Sequence, residues 1–348
     1  MCIERERSYM LTPESVPHIL GFLGARTVGF VTNIRDDYLN PNLRVRYISQ
    51  DHGDDELKVL TQQIGLTRKS GEKSSGQRNE NNRNIDPETA AILTTDSKLQ
   101  IIKKRQHIHT EGYDCIVTLD VIEAPMKMAV LEIESTDGKE PPTIKDIFGV
   151  ELQECPLAAW DFFKQKIGIC GAPSSGKTET AKAISHLLNT QFEANSFHTL
   201  EYATSFIQKY DRHPDAFDQF MIWYAQKARE DVAANRANIV ISDCPTFLAY
   251  IYMLYHNRKR LDSRLRPQVA KLYKRVLEDI DTYSRIVFLN TGTVANNNIR
   301  FHSPGEVADI DERIRSFLRN HSVPHIIADR DQSETILKQL FYMNELRR

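Results

Sequence analysis

The chain has 348 residues, 41% of them hydrophobic, with 45 basic and 47 acidic side chains and a net charge of −2. That length predicts two domains, each able to bury its own core, and the near-neutral balance excludes a global electrostatic drive toward nucleic acid or anionic membrane. The five cysteines (Cys2, Cys115, Cys155, Cys170, Cys244) show no CxxC, no apolar run approaches a membrane span, and the opening MCIERERSYML is too charged for a signal peptide; together these predict a reducing, cytoplasmic protein with no disulfide frame or structural zinc site.

In chain order, the first half reads as β-rich. Leu43 to Ile48, Leu57 to Leu60, Leu99 to Ile102, Cys115 to Val121 and Met128 to Ile133 are strand-like, and several alternate in hydrophobicity. Glu4 and Glu6 in IERERSYML lie two apart, as do Glu132 and Glu134 in VLEIES. On a strand each pair presents two carboxylates on one face, hard oxygen ligands suited to Mg²⁺ or Mn²⁺. Arg44 and Arg46 in LRVRY repeat the spacing with positive charge, Lys103 and Arg105 in IKKRQ do so again, and Asp120 closes the strand CIVTLD. Same-face acids and bases suit a barrel interior that holds metal and polyphosphate; an amphipathic sheet with solvated outer faces has the same spacing. The segment Arg68 to Asn84 has no apolar residue and reads as a mobile loop or insertion tip. His107 and His109 lack a third ligand at suitable spacing and read as ordinary strand histidines.

Taken in sequence, IERERSYML, LRVRY, IKKRQ, VTLDVIEAP and VLEIES resemble the CYTH family of triphosphate tunnel proteins over about residues 1–155. The resemblance implies a closed antiparallel β-tunnel (α+β, CYTH-like) that hydrolyses triphosphates or cyclises adenylate with a divalent metal. The family's opening ExExK stands here as Glu4-x-Glu6-x-Ser8, and Gln63 stands where a later lysine is expected. The metal acids persist while part of the phosphate-binding charge is lost. That pattern implies either binding of a phosphorylated ligand without efficient hydrolysis or a different substrate.

A domain boundary is expected between about Pro156 and Lys166. Beyond it, strand candidates at Lys166–Cys170, His198–Ala203, Asn238–Ser242, Arg285–Leu289 and His325–Ala328 alternate with helices. Residues 165–348 therefore predict an α/β, three-layer fold with a parallel sheet covered on both faces. Its first strand leads into Gly171, Ala172, Pro173, Ser174, Ser175, Gly176, Lys177 and Thr178, the G-x-x-x-x-G-K-[ST] phosphate loop of P-loop NTPases. Glycines let the backbone turn its N–H groups onto a phosphate. A helix over roughly Thr178 to Asn189 would add its positive dipole end. Lys177 can reach the β/γ-phosphates of ATP or GTP, and the Thr178 hydroxyl can ligate Mg²⁺.

Asp243 closes the apolar strand Asn238–Ser242 and is the candidate for the metal shell, with a helix N-cap as the other reading. Glu201 is the candidate to orient the acceptor hydroxyl or take its proton, with a solvated strand-end acid as the alternative. The aromatic stretch from Phe217 to Gln226 is either helix core or a ring-stacking surface, with Gln226 as its ligand candidate. Arg300, in a polar Asn-rich stretch, would stabilise the transferring phosphoryl group from a lid, ahead of Arg313 and Arg315. Asp329 and Arg330 lie where an adenine pocket would close. His256 to Arg275 carries eight basic residues in 20; it is either a solvated helical face or a grip on an anionic acceptor.

GAPSSGKTETAKAISHLL, LEYATSFI, FMIWYAQ and ISD followed by Cys-Pro-Thr resemble the P-loop kinase, AAA-like ATPase domain of the NadR type over about residues 165–345. That family phosphorylates ribosylnicotinamide. The resemblance implies Lys177 and Thr178 on phosphate and Mg²⁺, Asp243 at the metal and Glu201 near the acceptor. Ala203-Thr204 and Cys244 depart from the family's Gly-Arg and Thr, which points to a different acceptor. Three functions follow. One is an ATP-dependent phosphotransferase acting on a nucleoside, nucleotide or related hydroxyl, joined to a triphosphate-binding or hydrolysing tunnel. The second is a kinase and triphosphatase that processes nucleic-acid ends. The third is a nucleotide-gated switch with a non-catalytic tunnel.

Overall fold

The computed structural model describes residues 3–23, 27–51, 62–70, 77–110, 112–135, 139–157, 159–258, 263–291 and 302–344. The chain divides into two compact units. The first holds residues 1–164, 190–194 and 338–348; the second holds 165–189 and 195–337. The two short later segments of the first unit lie inside a stretch whose sequence reads as one domain.

The first unit runs β1 (Ile3–Leu11), α1 (Val16–Leu23), β2 (Thr27–Asn40), β3 (Leu43–Asp51), β4 (Gln62–Ser70), β5 (Gln77–Asn84), α2 (Pro87–Thr94), β6 (Leu99–Ile108), β7 (Cys115–Ala124), β8 (Met128–Ser135), α3 (Ile144–Phe148) and α4 (Ala159–Phe163). The strands pair in the order β1-β5-β4-β3-β2-β6-β7-β8, and β8 pairs back onto β1. This closes an antiparallel barrel and leaves no edge between these eight strands. Two-residue periodicity sorts its faces. Tyr9, Leu11, Val117, Leu119, Leu131 and Ile133 turn to one side and pack with Ile19 of α1 and Ile144 of α3. Their sequence neighbours Ser8, Met10, Asp120, Ile122, Val130, Glu132 and Glu134 line an internal cavity of about 220 Å³.

The stretch from Arg68 to Asn84 is not the loop its polarity suggests. Arg68 to Ser70 ends β4, and Gln77 to Asn84 forms β5, paired antiparallel from Gly65↔Asn84 to Ser70↔Asn79. Ladder hydrogen bonds hold a strand whatever its side chains, and Arg68 and residues 81–84 are exposed. The expected strand Leu57–Leu60 lies outside the described residues.

The second unit runs β9 (Gln165–Cys170), α5 (Lys177–Gln191), β10 (Ser196–Thr199), α6 (Tyr202–Tyr210), α7 (Gln219–Ala234), β11 (Ile239–Ser242), α8 (Leu248–His256), α9 (Arg266–Ile280), β12 (Arg285–Leu289), α10 (Pro304–Asn320), β13 (His325–Ala328) and α11 (Ser333–Leu340). Its five strands are all parallel, in the order β10-β11-β9-β12-β13. The strand expected over His198–Ala203 stops at Thr199, and α6 starts at Tyr202. The large core on one flank joins α8, α9 and α10 through Phe247, Ile251, Leu272, Val276, Ile314 and Phe317. After α11 the chain returns to the first unit, where β14 (Met343–Asn344) pairs parallel with Met10 and Leu11 of β1.

Candidate functional site

The site of the second unit sits where β9 gives way to α5. Two glycines shape that turn. Gly171 has φ 151°, and a Cβ there would stand 2.6 Å from Ser175 Oγ and 2.8 Å from the Leu289 carbonyl. Gly176 has φ 90°, and a Cβ would meet the Arg330 side chain at 2.9 Å. Only glycine fits both positions. Lys177 Nζ donates to the Ala172 carbonyl at 3.0 Å, so the lysine lies folded over its own loop.

β11 lies directly beside β9. The carboxylate after β11 therefore comes up against the start of α5. Thr178 Oγ1 donates to Asp243 Oδ2 at 2.7 Å. Asp243 is 1% exposed, and its Oδ1 has no hydrogen-bond partner; the buried Ser175 hydroxyl in the loop has none either. Orphaned buried oxygens at this place fit a site that closes around a bound group: Ser175 toward phosphate, Asp243 and Thr178 toward Mg²⁺. Sequence reasoning overlooked His198 of β10, whose Nε2 is 3.1 Å from Asp243 Oδ2.

A pocket of about 710 Å³ opens from the loop, within the size range of small-molecule sites. Pro173, Ser174, Gly176, Lys177 and Thr178 line one end, and Glu201 flanks it. Glu201 is the residue before α6, and its carboxylate accepts from Thr204 Oγ1 at 3.2 Å. Tyr252, Tyr255, His256 and His302 also line it. Burial, then the neighbouring His302 and Arg258, lowers the pKa of His256; burial also lowers that of His302. Both rings are therefore neutral at pH 7. Arg258 donates to Glu306 at 2.9 Å and to the Tyr255 hydroxyl at 2.9 Å, so its charge is spent locally. The Cys244 thiol is pushed well above its ordinary pKa by burial and then by Glu201 and Asp243, so it is no nucleophile.

Gln226 does not reach this pocket. Its Oε1 accepts the Tyr202 N–H at 2.8 Å and its Nε2 donates to Ser242 Oγ at 3.3 Å, with the side chain buried. One turn on, Arg229 donates to the carbonyls of Leu200 at 3.1 Å and Glu201 at 3.4 Å. The amide predicted to touch a ligand instead fixes the peptide that presents Glu201, because α7 lies inside the fold at that point. Arg313 and Arg315 pair with Asp309 and Asp311 on their own helix, at 2.9 Å and 2.7 Å. Arg300 lies outside the described residues.

In the barrel, each basic side chain that lines the cavity is already paired. Arg46 sits opposite Asp36 in the β2–β3 register and binds it through two bonds of 2.6 and 2.7 Å. Arg44 stands 3.7 Å from the same acid. Arg105 sits opposite Asp120 in the β6–β7 register, binds it at 2.6 and 2.7 Å and reaches Glu132 at 2.5 Å. Lys103 also pairs with Asp120. Cations occupy both oxygens of Asp120 in this structure, which makes it the counter-ion of Lys103 and Arg105. Glu6, Glu132 and Glu134 do line the cavity, with Glu6 opposite Glu134 across β1–β8. The Glu4 side chain lies outside what the structure describes. Among the described residues no three acids, histidines or cysteines gather as a metal site. Sequence reasoning missed Asp36; an acid two residues before a strand tyrosine, opposite LRVRY, was its signal.

The geometry defines a P-loop nucleotide-binding unit and, in the other unit, a closed barrel. Residues 166–335 match the family model described as "AAA domain". No curated protein matches the sequence. Among solved structures, a NadR protein in complex with NAD and AMP-PNP is similar at 14% identity and TM-score 0.41, over 54% of this chain and 52% of that one. The match thus spans about half the length of the NadR chain. A conserved hypothetical protein from Pyrococcus furiosus is similar at 16% identity and TM-score 0.32, over 45% of this chain and 97% of that one. A Hippeastrum protein with a dominant triphosphatase activity is similar at 14% identity and TM-score 0.27, over 39% and 80%. At such scores these likenesses bear neither on fold nor on activity. No helix among the described residues is long and apolar enough to cross a membrane.

Proposed function

We propose that this protein transfers the γ-phosphoryl group of ATP to a hydroxyl of an uncharged, nucleoside-like acceptor. The observation that carries the reading is the 2.7 Å bond from Thr178 to the buried Asp243, with Lys177, Thr178 and Glu201 lining one pocket. The loop amides and Lys177 hold the β- and γ-phosphates. Glu201 takes the proton as the acceptor oxygen bonds to the γ-phosphorus and the bond to the β–γ bridging oxygen breaks, releasing ADP. Bound Mg²⁺, held by Thr178 and Asp243, supplies neutralisation of phosphate charge. Aromatic rings in the pocket lining offer stacking to a planar base.

Charge sets the acceptor class. Among the described lining residues, Arg258 and Glu306 pair with each other, which leaves Glu179 and Glu201 against Lys177. This balance disfavours a nucleotide or a nucleic-acid end. In the barrel, cations already held by Asp36, Asp120 and Glu132, and Ser8 where a lysine is expected, disfavour efficient triphosphate hydrolysis.

Phosphorus NMR with Mg²⁺, ATP and a panel of nucleosides, nicotinamide riboside, nucleoside monophosphates and hydroxyl-ended DNA and RNA tests the reading. A new phosphoester from a nucleoside, absent in Lys177→Ala and strongly reduced in Glu201→Gln, is expected. Phosphorylation of the monophosphates or polynucleotides instead would overturn the acceptor class. Intact ATP, or hydrolysis alone with every acceptor, would remove the kinase reading and leave a nucleotide-gated switch.

A further inference from the structure

His198 enters none of the chemistry above, yet its position is specific. In the β10–β11 register His198 stands beside Ile241, and Ile241 and Asp243 are two apart. The imidazole is brought against the carboxylate, with Nε2 3.1 Å from Oδ2 and the side chain 11% exposed. That nitrogen is off the axis of a hydrogen bond and has no other partner. Asp243 Oδ2 already accepts the Thr178 hydroxyl. With its ring proton on Nε2, His198 is a second donor facing an oxygen that Thr178 alone engages.

The three groups cannot all keep this arrangement once nucleotide and cation bind. The P-loop hydroxyl is a metal ligand in this class of site, and a hydroxyl that turns toward a cation leaves Oδ2 without its donor. A buried carboxylate oxygen that loses its only hydrogen bond is costly. The nearest replacement is the His198 N–H. We propose that His198 is a positioning residue for Asp243. It takes up Oδ2 when Thr178 turns to the cation, and so fixes the carboxylate with Oδ1 free for the cation's hydration shell. This is the part an outer partner plays toward a ligating group: it sets orientation and leaves the ligand's other oxygen available. The proposal rests on the reading of Thr178 and Asp243 as the Mg²⁺ side of the nucleotide site.

The test is the coupling between Mg²⁺ and nucleotide binding, which needs no acceptor. A fluorescent N-methylanthraniloyl ATP is titrated onto the full chain in excess Mg²⁺ and again in EDTA. The ratio of the two affinities is the Mg²⁺ gain. In His198→Ala the gain should fall about tenfold, the lower end of what losing such a partner costs. The affinity in EDTA should stay within about twofold, because phosphate contacts through the loop and Lys177 remain. His198→Asn, which keeps a side-chain N–H donor, should recover part of the gain. In an Asp243→Asn background, His198→Ala should change nothing further, because a residue that acts through Asp243 has nothing left to position. Bound Mn²⁺ counted by electron paramagnetic resonance gives a second readout of the same loss.

An unchanged gain in His198→Ala, alongside a gain lost in Asp243→Asn, overturns the role of His198 and leaves the site intact. A loss in His198→Ala that appears equally in EDTA shows a general packing role and also overturns it. A full gain in Asp243→Asn, or no gain in the unaltered chain, removes the metal reading of Asp243 and the proposal with it.

Discussion

Glu230 is fully buried, and its carboxylate accepts from Ser242 Oγ at 2.6 Å and from the Tyr283 hydroxyl at 2.9 and 2.8 Å. Lys166 Nζ stands 2.5 Å away. A charge taken out of water is tolerated only when its oxygens are satisfied and a counter-ion is near. Burial, then the Glu230 charge, raises the Tyr283 pKa well above its ordinary value, so the phenol stays a donor. This network ties β9, α7, β11 and the turn before β12 together, just ahead of Asp243. Lys166→Met strips the counter-ion and should cost about 3–5 kcal/mol in denaturant unfolding of the full chain. Replacing both partners, Lys166→Met with Glu230→Leu, should recover most of the loss, because the stranded charge is gone. A single Lys166→Met change that costs less than about 1 kcal/mol would mean that the Lys166–Glu230 pair is wrongly read.

At the scale of elements, the barrel strands carry charge inward, and their stability follows pH. Asp36 and Asp120 both titrate below the usual carboxylate value of 3.8. Burial pushes each pKa up, but Arg44 and Arg46 around Asp36, and Lys103 and Arg105 around Asp120, outweigh it. An acid whose pKa drops on folding binds fewer protons folded than unfolded. Its contribution is therefore complete above the ordinary carboxylate pKa and is lost as pH falls through the folded value. The melting temperature of the barrel should fall steeply below about pH 4, and Asp36→Asn should flatten that fall while lowering stability at neutral pH. A melting temperature insensitive to acid would show that these pairs are not ionised. The strands themselves were legible where apolar residues alternate, as in CIVTLD and VLEIES. β5 was not, because its described side chains are polar and its pairing with β4 is a long-range fact. α7 was legible as a helix, but its periodicity could not say that Gln226 faces the Tyr202 N–H rather than the pocket. The phosphate loop was legible in full because its chemistry is local: glycines, lysine and threonine are contiguous. Its partners Asp243 and Glu201 could be ranked because both follow a strand, whereas His198 gave no signal until β10 was set beside β11.

At the scale of the whole chain, the two units are not two consecutive segments. Residues 338–348 group with the first unit, although α11 follows β13 as a crossover helix would and the sequence offers no break there. The final strand is two residues long, too short to signal itself by alternation. What secures it is specific. Asn344 Nδ2 donates to the carbonyls of Met10 at 3.0 Å and Gln153 at 2.9 Å, Asn344 Oδ1 accepts the Gln153 N–H at 2.8 Å, and Phe341 packs edge-on against Phe162 with centroids 5.5 Å apart. The Phe341 ring has no solvent exposure, so Phe341→Ala should cost about 3–5 kcal/mol. Heat unfolding with and without ATP shows which unit bears that cost. A ligand that binds only the folded second unit stabilises it by about 2.7 kcal/mol at a hundredfold excess over its Kd, and so marks that unit's transition by moving it upward. The other transition should be the one that Phe341→Ala lowers, although the residue lies beyond the last strand of the nucleotide-binding sheet. If the ATP-shifted transition falls instead, the tail belongs to the second unit, and the chain is two consecutive domains after all.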